Sequence, residues 1–166
     1  MTEVRAARPE DAPAIGDIYN HYILHSDATW RWDAMTREEI LSWVQSHGAP
    51  ERPMLVACEG ETVVGFACLS DFRPLIGYCK VAENTVYVRP GCEGRGIGRL
   101  LMRRLIDLAR AAGLWSIVAV LDGGNTGSRD FHLALGFREA GVLPGIGYKF
   151  GRAHDCLFLQ LDLRTP

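Results

Sequence analysis

A strand-forming segment that runs into a glycine-dense turn and then into an amphipathic helix restricts the possible fold more than any other stretch. Residues 85–89 are rich in β-branched and aromatic side chains, and glycine alternates with other residues through 94–98. Glycines let successive backbone N–H groups point into one concavity, and a helix N-terminus adds partial positive charge. Arg95 and Arg99 add full positive charges. The pattern predicts a pyrophosphate-binding loop in an α/β domain.

The remaining elements follow from hydrophobic periodicity and from turn residues. Thr36 and Glu39 form a capping box at the start of a helix, and an earlier helix follows Pro9. A short strand is predicted from Val4, and further strands at 54–59, 62–70, 84–89, 115–121, 137–143 and 157–163, with further helices after the glycine loop and before Gly136. The order is β, α, α, β, β, β, α, β, α, β, β. We predict one mixed α/β domain spanning residues 1–166, with an antiparallel front half.

Charge and cysteine usage exclude several functional classes. Lys and Arg total 18 and Asp and Glu total 20, giving a net charge of -2, so we expect no nucleic-acid partner. The five cysteines form no C-x-x-C pair, which argues against a zinc ribbon or a disulfide framework. His21 and His25 have metal-ligand spacing but lack a third ligand, so no metal is expected. No apolar stretch could span a bilayer and no secretory signal is visible, so we expect a cytoplasmic protein without membrane contact.

The glycine loop of residues 94–98 has three possible interpretations as a phosphate-binding motif. A fourth is a glycine-rich turn that binds no ligand. A P-loop requires Gly-Lys-Ser/Thr, whereas residues 98–100 are Gly-Arg-Leu. A dinucleotide fingerprint requires G-x-G-x-x-G, whereas the spacing in 94–98 is G-x-G-x-G. The third is the coenzyme A loop of the GNAT N-acetyltransferases, [Q/R]-x-x-G-x-[G/A], and Gly96 and Gly98 match its glycines.

Further motifs extend this likeness along nearly the whole chain. They are R-P-E-D-A-P-A-I at 8–15, D-F-R-P at 71–74, E-N-T-V-Y-V at 83–88, G-R-G-I-G at 94–98, G-N at 124–125, F-H-L-A-L-G-F at 131–137 and G-Y-K-F-G-R at 147–152. The sequence resembles a GNAT acetyltransferase, and within that superfamily it is most similar to the phosphinothricin and methionine sulfoximine (sulfone) N-acetyltransferases. The resemblance implies the GNAT acyl-CoA N-acyltransferase fold, a mixed, mostly antiparallel twisted sheet flanked by helices.

The resemblance also implies acetyl-CoA as co-substrate. In this fold the strand of residues 86–88 separates from its neighbour at a bulge, and the pantetheine arm binds the exposed backbone. The residues implied to bind the cofactor are Val86, Tyr87, Val88, Gly94, Arg95, Gly96, Ile97, Gly98, Arg99, Asn125 and Ser128. One departure is Glu93, which stands where the family has Gln or Arg. Its carboxylate would repel a pyrophosphate unless it points away or pairs with Arg95 or Arg99.

Transfer to an amine requires a base, because amines are protonated near neutral pH. Glu83 matches the glutamate that the family uses as general base; the alternative is a solvated carboxylate at a strand edge. His132 stands where many GNAT enzymes place a tyrosine that assists the departing thiolate; the alternative is a histidine packed on the helix surface. Tyr148 is another possible donor. Cys92 lies in the cofactor loop, and we interpret it as structural because GNAT transfer is direct.

The similarity predicts transfer of acetyl to the α-amine of phosphinothricin, methionine sulfoximine or methionine sulfone, by direct attack in a ternary complex. The residues predicted to bind this acceptor are Trp30, Arg73, Pro74, Leu75, Tyr78, Glu83, Asn84, Thr85 and Lys149. Arg73 would bind a carboxylate or phosphinate; its alternative is a surface ion pair with Asp71. The alternative functions are a GNAT enzyme acting on a polyamine, an aminoglycoside or a protein N-terminus, and a non-catalytic CoA-binding domain. The subfamily suggests a homodimer.

Overall fold

The computed structural model describes residues 1–164, whose seven strands form one mixed sheet in the order β1-β2-β3-β4-β5-β7-β6. The strands are β1 (Thr2–Ala6), β2 (Met54–Glu59), β3 (Thr62–Asp71), β4 (Val81–Val88), β5 (Ser116–Asp122), β6 (Arg138–Lys149) and β7 (Arg152–Asp162). All neighbours are antiparallel except β4 and β5. The predicted element order and mostly antiparallel sheet are confirmed.

Four helices cover the two faces of this sheet. They are α1 (Ala12–His25), α2 (Arg37–Gln45), α3 (Ile97–Ala111) and α4 (Thr126–Leu133). α1 and α2 pack with one side of β2 and β3 through Ile15, Ile40 and Phe66, and the capping box at Thr36 is formed. α3 packs on the opposite side, where a Cβ on Gly65 would lie 3.1 Å from Ile97. The glycine thus allows α3 to lie close to the sheet.

The parallel pair at the centre of the sheet is short. β4 pairs with β5 only from Val81 to Glu83, opposite Ser116 to Val118. Beyond Glu83, β4 keeps its pairing with β3 but has none with β5. The separation predicted for residues 86–88 is therefore present. The predicted bulge is not in the β3–β4 register, which is continuous; a register shift lies instead between β2 and β3, opposite Gly65.

The last two strands are longer than the sequence indicated. The predicted strands 137–143 and 157–163 extend into a hairpin that includes the whole G-Y-K-F-G-R segment. Lys149 pairs with Arg152, and Phe150 and Gly151 form the turn with positive φ angles of 50° and 75°. Glycines and a proline interrupt the strand pattern of β6, and register shifts accommodate them. Within residues 1–164, no helix has both the length and the apolar character needed to cross a membrane.

Candidate active site

The opening between β4 and β5 contains a cavity of about 640 Å³. Its wall combines the diverging strands, the glycine loop, the start of α4 and the loop after α1. The lining residues are Tyr19, Tyr22, Ala28, Thr29, Trp30, Glu83, Asn84, Thr85, Val86, Tyr87, Val88, Glu93, Gly94, Gly98, Val120, Leu121, Asp122, Asn125, Gly127, Ser128 and Phe131. Most of the predicted β4 residues, together with Asn125 and Ser128, therefore share one cavity.

The glycine loop has the backbone conformation expected of an anion cradle. Gly94 and Gly96 have φ angles of 74° and 79°, which favour glycine. Among the described residues, no atom lies within 4 Å of the Cβ position of either glycine, so the concave side is open. Gly96 is the N-cap of α3, whose first backbone N–H groups have no partner within the helix. These features fit the pyrophosphate of a coenzyme A thioester.

Other predicted loop residues have different surroundings. Ile97 is buried in the core, so only its backbone can face a ligand. Arg95 forms an ion pair with Glu59, and this pairing raises the pKa of Arg95. Arg99 is exposed on the first turn of α3 and is not part of the cavity wall.

Glu93 adopts neither of the arrangements considered from the sequence. Glu93 lines the cavity, so it does not point away. It forms no ion pair with Arg95, because Arg95 pairs with Glu59 instead. Glu93 Oε2 accepts a 2.7 Å hydrogen bond from the Gly91 N–H, and Oε1 lies 3.3 Å from the Tyr22 hydroxyl. Hydrogen bonds from its own and the Gly91 backbone N–H lower the pKa of Glu93. The residue therefore fixes the turn that precedes the loop.

Glu83 lies where β4 and β5 stop pairing, at the other end of the cavity from the glycine loop. Its side chain is half-buried, and burial raises the pKa of its carboxyl group; the positive charge of Arg73 opposes this rise. A carboxylate with a raised pKa is better matched to removing a proton near neutral pH than an exposed one. Glu83 has the environment of a general base.

His132 is buried behind Asn84 and does not line the cavity. Its Nδ1 lies 2.8 Å from the Ser128 carbonyl oxygen, and its Nε2 lies 3.0 Å from Asn84 Nδ2. Burial lowers the pKa of His132. The structure therefore brings His132 to the side chain of Asn84 rather than to the position of a departing thiolate. Tyr148 is exposed and stacks on Trp32, outside the cavity wall.

The D-F-R-P loop approaches Glu83 without lining the cavity. Asp71 pairs with Arg52, so the alternative ion pair between Arg73 and Asp71 is not formed. Arg73 is exposed, stacks on Phe72, and acts electrostatically on Glu83. Pro74, Leu75 and Tyr78 are exposed on the same segment, and Tyr78 lines a separate apolar groove that includes Val142 and Phe158.

Lys149 does not lie in the cavity wall, although it was predicted to bind the acceptor. It is 1% exposed, and its Nζ donates hydrogen bonds of 2.7 and 2.8 Å to the carbonyl oxygens of Ser26 and Thr29. Both hydrogen bonds of Nζ are made to the segment that leads into and carries Trp30. A direct contact with the acceptor is not supported, and the geometry gives Lys149 a role in holding that loop.

A buried polar cluster lies next to this loop. Ligand atoms of Asp27, Asp122 and His154 lie within 4.8 Å of one another, the only such group of three among the described residues. His154 Nδ1 lies 3.0 Å from Asp122 Oδ1, and Arg152 pairs with Asp27. The hydrogen bond between His154 and Asp122 joins β7 to β5, and the ion pair between Arg152 and Asp27 joins β7 to the loop, while Asp27 Oδ1 has no hydrogen-bond partner within residues 1–164. The expectation of no metal stays a prediction.

Besides Glu93, nine wall residues were not among the predicted site residues: Tyr19, Tyr22, Ala28, Thr29, Val120, Leu121, Asp122, Gly127 and Phe131. Tyr19 is on α1, and its hydroxyl lies 3.2 Å from Thr29 Oγ1 at the cavity. Asp122 ends a buried strand, and a polar residue at a strand end could have identified it. No comparable signal distinguishes Phe131 from a core residue.

Comparison with known proteins agrees with this geometry. Residues 17–137 match the Acetyltransferase (GNAT) family. The chain is 38% identical to L-amino acid N-acyltransferase MnaT of Escherichia coli over 96% of its length and 93% of that protein. It is likewise 38% identical to L-methionine sulfoximine/L-methionine sulfone acetyltransferase of Salmonella typhimurium, over 96% and 94%.

A solved structure shows that the fold agrees as well. The phosphinothricin acetyltransferase of Sinorhizobium meliloti, determined in complex with acetyl-CoA, superimposes with a TM-score of 0.92 at 30% identity, covering 97% of this chain and 88% of that one. The chain therefore belongs to the GNAT family of N-acetyltransferases.

Proposed function

We propose that the protein transfers the acetyl group of acetyl-CoA to the α-amine of a small amino acid analogue. The observation that carries this proposal is one cavity with an open glycine loop at one end and the half-buried carboxylate of Glu83 at the other. The relatives named for methionine sulfoximine, methionine sulfone and phosphinothricin support acceptors of that chemistry.

The glycine loop and the free edge of β4 would hold the co-substrate. Gly94, Gly96 and the N-terminus of α3 offer backbone N–H groups to the pyrophosphate. Residues 84–88 have a backbone edge without a strand partner, which suits the amides of the pantetheine arm. When bound, acetyl-CoA supplies an activated thioester carbonyl for attack by the amine.

Glu83 would prepare the amine for that attack. An α-ammonium group must lose one proton before its nitrogen has a free lone pair. Glu83 accepts this proton directly or through water, and its raised pKa makes the transfer less unfavourable than it would be to an exposed carboxylate. The nitrogen then bonds to the acetyl carbon, the carbon–sulfur bond breaks, and CoA leaves as a thiolate. The nitrogen loses its surplus proton as the amide forms, and the thiolate takes up a proton from this nitrogen or from water.

Arg73 would select an acidic acceptor. Its guanidinium is exposed, and among residues 1–164 it forms no ion pair. It acts electrostatically on Glu83, so a substrate whose amine meets Glu83 places its carboxylate or oxygenated head near a positive charge. The same charge would repel a polyamine.

The decisive experiment is steady-state kinetics with acetyl-CoA, following release of free thiol. The acceptors are methionine sulfone, methionine sulfoximine, phosphinothricin and spermidine, for the wild type and Arg73→Ala. We expect turnover of these amino acid analogues and a raised KM for them in the variant. Arg138→Ala is the control for loss of an arginine charge, because Arg138 is exposed on β6 and does not line the cavity. A preference for spermidine, or an unchanged Arg73→Ala variant, would contradict the proposal.

The resemblance further suggests a homodimer in the cytoplasm. Light scattering at several concentrations would measure the assembly state, with twice the mass of 18.4 kDa expected.

A further inference from the structure

Asn84, His132 and Ser128 form a buried chain of hydrogen bonds beside the cavity. His132 Nδ1 lies 2.8 Å from the Ser128 carbonyl oxygen, which can only accept, and 3.5 Å from the Ser128 hydroxyl. The much shorter contact with the carbonyl oxygen requires a proton on Nδ1. Nε2 is then free to accept the 3.0 Å hydrogen bond from Asn84 Nδ2. The neutral Nδ1–H form of His132 therefore fixes the orientation of the Asn84 amide.

The opposite orientation of the amide is unfavourable. If Asn84 Oδ1 faced His132, both ring nitrogens would have to donate and the ring would be an imidazolium. His132 is 1% exposed and lies edge-on between the rings of Phe131 and Phe137. Burial disfavours the charged ring and lowers the pKa of His132.

This orientation leaves Asn84 with an unused acceptor. Asn84 is 9% exposed, it lines the cavity, and its Oδ1 has no hydrogen-bond partner within residues 1–164. A buried carbonyl oxygen without a partner is unfavourable. The side chain is thus prepared for a donor that enters the cavity.

We propose that Asn84 Oδ1 accepts a hydrogen bond from the amine of the acceptor substrate, and that His132 is a positioning residue which holds the Asn84 amide in this orientation. This inference rests on the proposed acetyl transfer and deepens it. It replaces the sequence-based assignment of His132 as a proton donor to the departing thiolate.

The amine is the donor that this position fits best. Successive residues of a strand point to opposite faces, so Glu83 and Asn84 reach the cavity from opposite sides of β4. A group that contacts both lies in the opening between β4 and β5, where the amine must meet the thioester. After Glu83 takes one proton, the remaining N–H bonds need acceptors. The Asn84 amide supplies such an acceptor. A second carboxylate would instead stabilise the charged ammonium form and oppose its deprotonation.

Two substitutions at His132 separate positioning from proton donation. In His132→Gln, Oε1 can accept from Asn84, but the side chain has no acidic proton. In His132→Phe, an apolar ring of similar volume leaves the Asn84 amide free to turn. We expect His132→Gln to keep kcat and the amine KM within about 3-fold of wild type, whereas His132→Phe and Asn84→Ala raise the amine KM by about 3–10-fold or more.

The same kinetic measurements show whether Asn84 contacts the amine acceptor or acetyl-CoA. With methionine sulfone varied at saturating acetyl-CoA, and acetyl-CoA varied at saturating amine, only the amine KM should change. If His132→Gln loses kcat as severely as His132→Phe, His132 donates a proton and the proposal is wrong. If Asn84→Ala raises the KM for acetyl-CoA instead, Asn84 binds the donor and the proposal is equally wrong.

A spectroscopic measurement tests the arrangement without turnover. Nitrogen-15 imidazole shifts of the wild type should show the His132 proton on Nδ1 alone at neutral pH. Addition of methionine sulfone with CoA should shift the Asn84 side-chain carbonyl carbon, and should do so less in His132→Phe. A proton on Nε2, or an unchanged carbonyl signal, would overturn the proposal. If the wild type acetylates no amino acid analogue, the proposed function fails, while the tautomer remains a separate result.

Discussion

A Cβ atom on Gly147 would lie 2.6 Å from Cη2 of Trp30, so the indole ring packs directly on the backbone of β6. This contact joins the C-terminal hairpin to the wall of the cavity, because Trp30 lines it. Glycine is required here by the closeness of the ring, since φ at Gly147 is not in the positive range.

Gly147→Ala should therefore displace Trp30. We expect a raised KM for the amine acceptor, an unchanged KM for acetyl-CoA, and a loss of about 1–3 kcal/mol in the free energy of unfolding. Gly141→Ala on the same strand is the matched control, because no atom lies within 4 Å of its Cβ position. Equal kinetics for the two variants would show that Trp30 does not shape the acceptor site.

Glu83→Gln should lower kcat by about 10²–10⁴-fold while acetyl-CoA affinity stays nearly unchanged. In the wild type, kcat/KM should fall as the pH drops through the pKa of Glu83, and this limb should lie above pH 4.5 because burial raises that pKa. A pH-rate series on wild type and variant measures both effects. Full activity of Glu83→Gln across neutral pH would show that Glu83 is not the base.

The same substitution should stabilise the fold. The pKa of Glu83 is higher in the folded than in the unfolded protein, so ionisation above this pKa weakens the folded state. Glutamine does not ionise, and the Tm of Glu83→Gln should exceed that of the wild type at pH 7 but not at pH 4. Thermal melts at the two pH values measure this difference, and an equal gain at both would attribute it to packing.

Gly96→Val should abolish measurable acetyl-CoA binding. The φ of 79° strains any branched side chain, and the valine would fill the open side of the loop. Calorimetry with CoA measures the affinity. Gly145→Val is the control for strain alone, since Gly145 has a φ of 66° and equally open surroundings far along β6. If both variants bind CoA equally well, the loop does not hold the pyrophosphate.

Glu93→Gln should tighten CoA binding by less than tenfold, about 1 kcal/mol at most. A glutamine Oε1 can still accept from the Gly91 N–H, while the negative charge at the cavity is removed. The gain should shrink as salt concentration rises. Weaker binding in this variant would show that the carboxylate itself is needed to fix the turn.

Lys149→Met should destabilise the protein without changing acceptor selectivity. Loss of the ammonium group leaves the carbonyl oxygens of Ser26 and Thr29 without their buried donor, which costs about 1–3 kcal/mol. Chemical denaturation measures the change, and Lys80→Met, at an exposed lysine, is the control. A selective rise in KM for acidic acceptors in a stable Lys149→Met protein would restore the role predicted from the sequence.

Sequence rules located the elements whose ends are determined by residues close together in the chain. Thr36 with Glu39 identified the start of α2, and the alternating glycines of 94–98 identified the loop before α3, because both signals act within a few residues of the chain. The hairpin of β6 and β7 was underestimated because Pro144 and three nearby glycines conceal a strand that tertiary pairing supports. Propensity does not report such pairing.

The functional roles of charged residues were harder to predict than their positions in the chain. Lys149 and Arg73 are both cations in subfamily motifs, yet one is buried on backbone carbonyls and the other is exposed near Glu83. The burial and the partners of Lys149 depend on the loop between α1 and α2, which no periodicity describes. Similarly, the hydrogen bond between Asn84 and His132 joins residues 48 positions apart, and no local pattern reveals it.

The three paired residues that join β4 to β5 divide the sheet into two blocks, β1 to β4 and β5 to β7. Relative rotation of the blocks is resisted by this narrow junction and by the apolar core that α3 shares with residues of β5 and β7. A bound thioester arm in the opening would act as a missing strand and couple the blocks mechanically. We therefore expect amide hydrogen exchange in β4 and β5 to slow together on CoA binding, so that the protein is stiffest when loaded and loosens with each release of product.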